Sequence, residues 1–368
     1  MKITKKVSYG FSLSFAVLFL SACLLDGNLR WNNVIASEPN DTALKLHRRS
    51  VYTMGSLLNI SIYSDSEDRA ERAMGKAFNE VARLDWLMSN YKNDSELSRI
   101  NRDATDKPAV CNGELISIIE ESIRFSIITR GAFDITVYPF VKLWGFYGNV
   151  DGDITGNVPS DDELKKIIPS VSYKNIKIDV LDSNNLSDRT IFFINSKTQI
   201  DLGAIGKGYA VDKAAEVLKK AGVTSGLINF AGNIYAFGSP PGRKDWVIGL
   251  KDPTNSDNIK GAFRIKEMAV ATSGDYERFF IIDNKKYAHI IDPRTGMPVR
   301  SMLSVTIVSE DATTADALST GVFVLGPIDG IELIESLDGV EGILIFEDRN
   351  GNVVENMSTG FKALLEKS

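Results

Sequence analysis

Three glycines within six residues, Gly203, Gly206 and Gly208, restrict what the middle of this chain can become. They lie in Asp201-Leu-Gly-Ala-Ile-Gly-Lys-Gly-Tyr-Ala-Val-Asp212, after a run that reads as a strand (198–202) and before one that reads as a helix ending near Ala221-Gly222. Without a Cβ, the backbone can turn tightly and approach a ligand closely. The free N–H groups at the helix start favour an anion, and Lys207 adds a positive charge beside them. Asp201, ahead of the glycines, could hold a ribose, a metal or a ring N–H. The combination points to a phosphate-bearing ligand; the plainer alternative is a corner with structural glycines. Two familiar phosphate loops are excluded. The P-loop needs four residues before its Gly-Lys and a Ser or Thr after it, and the dinucleotide fingerprint needs a surrounding βαβ unit.

The chain has 368 residues, 43% hydrophobic and 24% charged, an ordinary globular balance. Acidic residues outnumber basic ones 48 to 42 and no basic stripe appears, so nucleic acid is not an expected partner. Lys2, Lys5 and Lys6 precede an apolar stretch from Val7 to Leu20, the plan of a secretory leader. Leu20-Ser-Ala-Cys23 then resembles a bacterial lipobox, which predicts a leader over 1–22, a lipidated Cys23, a polar tether over 23–48 and a functional body over 49–368. The expected location is therefore extracytoplasmic and lipid-anchored. The only other cysteine is Cys111 and the only histidines are His47 and His289, which argues against an intramolecular disulfide and a Cys/His zinc site.

Along the body, 49–64 reads as a strand, and Glu67 to Met88 reads as a helix with Ala70, Ala73, Ala77, Val81, Leu84 and Met88 on one face. A second helix is expected from about Glu114 to Thr129, and Ser160-Asp-Asp-Glu163 is a capping box. From Val171 onwards short strands and hairpin turns dominate, including one long strand over 262–271, and Asp311 caps a later helix. The expected class is α+β, with mostly antiparallel sheets flanked by helices. The aromatic connection from Gly131 to Tyr147 is either a packed core loop or a platform for a flat ring.

Two further stretches carry chemistry. Thr272-Ser-Gly-Asp-Tyr276 is followed by a hairpin that returns to His289, and a neutral imidazole beside such a turn is a natural base near pH 7. Asp316 and Thr320, four apart on a helix, offer hard oxygens that suit Mg²⁺, or form a simple polar pair.

Taken together, Met54-Gly-Ser56, Ser89-Asn-Tyr-Lys92, Asp94-Ser-Glu-Leu97, Gly131-Ala-Phe-Asp-Ile-Thr136, Asp201–Asp212, Thr272–Tyr276, His289–Pro298 and Ala315–Thr320 resemble the ApbE family of bacterial FAD:protein FMN transferases. Where that family usually has two glycines, this chain has Ala231-Gly232. The resemblance implies an exported enzyme that cleaves FAD, releases AMP and attaches FMN to a threonine or serine of a partner flavoprotein. It also implies a flavin site in a cleft between two subdomains. Flavin would be held by Met54, Tyr91, Ala132, Phe133, Asp134, Asp201, Lys207 and Ile290. Mg²⁺ would be held by the Ala204 carbonyl, Asp316 and Thr320, with Ser319 nearby, and His289 would be the base. The alternatives are an FAD pyrophosphatase yielding FMN and AMP, and a non-catalytic flavin-binding lipoprotein.

Overall fold

The computed structural model describes residues 43–147, 155–182, 185–255 and 258–366. The expected leader, Cys23 and most of the expected tether lie outside the described residues. One sheet of eight strands runs in the order Lys45–Thr53, Ser56–Ser64, Gly226–Phe230, Asn233–Phe237, Met268–Gly274, Met302–Ser309, Glu341–Glu347 and Val353–Met357. Each neighbouring pair is antiparallel, so the α+β class expected from the pattern of hairpins holds.

Side chains that alternate along a strand separate two cores. Val305, Ile307 and Leu344 face one side, where helices Glu67–Met88, Gly206–Lys220 and Ala312–Leu325 cover the sheet. Val308, Ile343 and Ile345 face the other, beneath the ribbon Trp246–Lys251/Ile259–Ile265 and the helix Thr359–Glu366. Covered on both faces, Met302–Ser309 has almost no exposed residue. A third apolar cluster, Phe140, Trp144, Phe146, Leu164, Phe280 and Tyr287 among its members, supports the hairpin Phe279–Ile282/Lys285–Ala288.

The Glu67–Met88 helix starts at a Ser66 cap and buries the predicted face. The Ser160–Glu163 capping box is present in both directions. Four expectations change. The strand expected over 49–64 is a hairpin that turns at Met54-Gly55 and begins at Lys45, inside the expected tether. Its first strand lies at the sheet edge, where charged residues such as Arg49 are tolerated and alternation is weak. Residues 198–202 are not a strand: Asn101 takes both backbone groups of Ile200, Oδ1 accepting from N–H at 2.8 Å and Nδ2 donating to C=O at 2.8 Å. The long strand expected over 262–271 breaks at Glu267, whose φ is +50°, and the Thr359–Glu366 helix was not anticipated.

Ala231-Gly232 is a two-residue hairpin turn closed by the pair Phe230 and Asn233, with both φ angles positive (+50° and +92°). That geometry matches strand twist but strains an L-residue at the first position. Ala231→Gly is expected to raise stability by about 0.5–1 kcal/mol, the strain relieved less the entropy of an added glycine. Urea denaturation checks this, and a loss of stability would contradict it.

Candidate active site

The site is built where two helices start against each other. Gly208 N–H, an unpaired donor of the Gly206–Lys220 helix's first turn, donates to Asp316 Oδ2 at 2.8 Å. In return, Asp212 accepts from the Ala312 and Thr313 N–H groups, both at 2.8 Å, at the start of the Ala312–Leu325 helix. Gly208 is required by the closeness of this crossing: a Cβ there would lie 2.1 Å from the Ala312 carbonyl oxygen. Burial holds the Asp316 carboxyl above its ordinary range, against Lys207, the Gly208 N–H and the Asn233 side chain. A groove of about 550 Å³ near this crossing is lined by Tyr209, Asp212 and Glu310 but by none of the expected flavin or metal residues.

Two cations connect the rest. Arg278 ends the approach to the hairpin, and its carbonyl accepts both the His289 backbone N–H at 3.0 Å and the His289 ring at Nδ1, 3.2 Å away. A carbonyl only accepts, so Nδ1 carries the proton and Nε2 keeps its lone pair. Burial, then the charges of Arg278 and Lys207, push the imidazole down to about 3. His289 is therefore neutral well below pH 6.5. Glu277 keeps an exposed surface, yet the protein crowded around its carboxyl pushes it up to about 7, with Asp316 adding and Lys207 and Arg278 opposing. Asp201 is also raised by burial, opposed by its bond from Gly203 N–H (2.6 Å to Oδ1), by Asn90, and by the same two cations.

Of the expected flavin residues, Met54 reaches the Gly206 turn and Tyr91 lies near Arg278. Tyr91 stacks on Tyr147, with ring centroids 4.6 Å apart and planes at 7°. Trp144 and Phe146 of the same aromatic stretch belong instead to the third core. Ala132, Phe133 and Asp134 are buried. The Asp134 carboxylate accepts from Thr136 (N–H 2.9 Å, hydroxyl 2.6 Å) and from Tyr173 N–H (2.7 Å), so it is engaged within the protein. Ile290 is likewise buried, with its carbonyl bonded to Val299. Lys207 folds back with Nζ 3.3 Å from the Gly203 carbonyl.

Among the described residues, no group of three or more His, Cys, Asp or Glu side chains could hold a metal. The oxygens near Asp316 are of another kind. Ser273 Oγ lies 2.8 Å from Ser319 Oγ and 3.3 Å from Thr320 Oγ1, and Asp316 is the carboxylate beside them in the same helix. One carboxylate, hydroxyls and backbone carbonyls are hard donors of the type Mg²⁺ takes alongside its waters. Glu277, Arg278, Asn90, Asn233 and Ser273 are not among the expected site residues, although Ser273 and Asn90 lie within the stretches that carry the resemblance and Glu277 and Arg278 directly follow Thr272–Tyr276.

An antiparallel α+β body that gathers a neutral histidine, two cations and the buried Asp316 carboxyl by a helix start has the equipment of a group-transfer enzyme. The chain belongs to the ApbE family, whose family model matches residues 54–344. It is 34% identical to the FAD:protein FMN transferase of Haemophilus influenzae over 322 residues, 85% of this chain and 90% of that one. With the protein of the same name from Vibrio cholerae it shares 32% over 284 residues, 76% and 80% of the two chains. The structure of the ApbE protein from Thermotoga maritima superposes with a TM-score of 0.76 at 31% identity, covering 87% of this chain and 99% of that one.

Proposed function

We propose that this chain performs Mg²⁺-dependent transfer of FMN from FAD to a threonine or serine hydroxyl of an exported partner flavoprotein, with release of AMP. The chain is a transferase of its family, and flavin transfer is the activity for which its relatives are named. The finer reading is carried by one observation: His289 is neutral, its Nδ1–H is engaged by the Arg278 carbonyl, and Nε2 is left as an acceptor beside two cations.

In this reading Lys207 and Arg278 receive the FAD diphosphate. The acceptor hydroxyl attacks the phosphorus on the FMN side, forming one P–O bond as the bridging P–O bond to AMP breaks. His289 Nε2 takes the hydroxyl proton, and the two cations offset charge on the departing AMP. Mg²⁺, when bound, supplies Lewis-acid polarisation of phosphoryl oxygens, and the Ala204 carbonyl, Asp316 and Thr320, with Ser319, would hold it. The isoalloxazine would lie by Met54, Tyr91, the 132–134 backbone, Asp201 and Ile290. Incubation with FAD and Mg²⁺, with and without a threonine-bearing acceptor, tests the reading. AMP release that requires the acceptor is expected. Equal AMP release without it would replace transfer by hydrolysis, and FAD binding without AMP would leave a binding protein.

Lipid anchoring through Cys23, on the extracytoplasmic side, is part of the proposal. No helix among the described residues is long and apolar enough to cross a membrane. Cys23→Ala should leave the protein out of the membrane fraction, because each buried acyl CH₂ contributes ~0.8 kcal/mol that the variant lacks. Full retention of the variant in membranes would remove the lipobox reading.

A further inference from the structure

Asn233 follows the strained Ala231-Gly232 turn as the first residue of its strand and is 5% exposed. Its strand packs against the Ala312–Leu325 helix, which places its side chain beside Asp316. A carboxylate accepts, so the Asn233 amide must turn Nδ2 towards Asp316 and Oδ1 away from it. Among the described residues, Oδ1 is one of three buried side-chain polar atoms with no hydrogen-bond partner, with Arg189 Nε and Ser225 Oγ. A buried carbonyl oxygen left unmatched carries a desolvation penalty, and such groups are normally met by a donor or a cation. Only Asn233 of the three lies beside a residue of the proposed metal set.

We infer that Asn233 is a member of the cation site: Nδ2 fixes the Asp316 carboxylate, and Oδ1 faces the coordination shell of the divalent cation, directly or through a cation-bound water. The inference rests on the Mg²⁺ reading proposed above. It also gives the Ala231 turn a purpose, since a two-residue hairpin fixes the register at which Asn233 meets the helix. Partners that orient a metal ligand are worth about 10–100-fold in metal affinity.

The test is the melting temperature of the whole protein against MgCl₂ concentration, without FAD and again with FAD held constant. The concentration dependence reports cation affinity apart from turnover. Asn233→Ala is expected to shift the half-saturating Mg²⁺ concentration upward by about 10–100-fold. Asn233→Asp keeps an oxygen at the same place and is expected to retain the Mg²⁺ response while melting lower without metal, because two carboxylates then adjoin. A wild-type midpoint in Asn233→Ala would overturn the inference. So would loss of the response in Asn233→Asp, which also decides the matter if the alanine variant does not fold. A wild-type protein that responds to Mg²⁺ in neither series would overturn the cation reading itself, and the inference with it.

Discussion

Replacing His289 with Gln is expected to lower FMN transfer by about 10²–10⁴-fold, the usual worth of a positioned general base, while FAD binding changes little. Gln can still donate to the Arg278 carbonyl but offers no basic nitrogen, so position is kept and proton transfer is lost. The pH dependence makes the assignment specific. With the imidazole pushed down to about 3 in the free protein, kcat/KM should show no acid limb at the ordinary histidine value of 6.5. A bound diphosphate offsets Lys207 and Arg278, two of the causes of that depression, so the limb in kcat should lie higher than the limb in kcat/KM. Stability follows the same group with a definite sign. Between about 3 and 6.5 the unfolded chain binds the extra proton, so His289 makes the fold less stable as pH falls through that window. The Gln variant should lose this part of the acid sensitivity. Transfer at the wild-type rate by the variant would remove His289 from the chemistry.

Asp316→Asn is expected to lower transfer by about 100-fold or more, since metal polarisation of a phosphoryl group is worth several kcal/mol. The metal-free protein should melt no lower than wild type, because a carboxylate that burial disfavours is exchanged for a neutral amide. Loss of activity without loss of stability is the signature of a charge kept for function. Turnover equal to wild type at limiting Mg²⁺ would contradict the metal role, whereas a collapse in metal-free stability would make Asp316 chiefly a helix cap for Gly208.

Periodicity revealed the elements whose environment repeats along the chain. The apolar face of Glu67–Met88 and the Asp311 cap were legible because the residues that make them are neighbours in sequence. The segment before Asp201 misled, since its apolar residues suit a strand but Asn101, distant in sequence, satisfies its backbone. The site divides in the same way. Gly208, Lys207, Asp316 and His289 stood out by residue type and motif. Arg278 and Asn233 did not, because what distinguishes them is a contact: the carbonyl that sets the His289 tautomer, and an amide oxygen without a partner beside Asp316. The low position of the His289 titration was equally invisible, being set by burial and two cations from other parts of the chain.

The central claim is tested most directly by intact-mass spectrometry of a threonine-bearing acceptor after incubation with FAD, Mg²⁺ and this protein. The account predicts a mass gain equal to FMN less one water, located on the hydroxyl residue, matched by AMP in the supernatant and absent with the His289→Gln protein. An acceptor of unchanged mass, while FAD is consumed to free FMN and AMP, would contradict it.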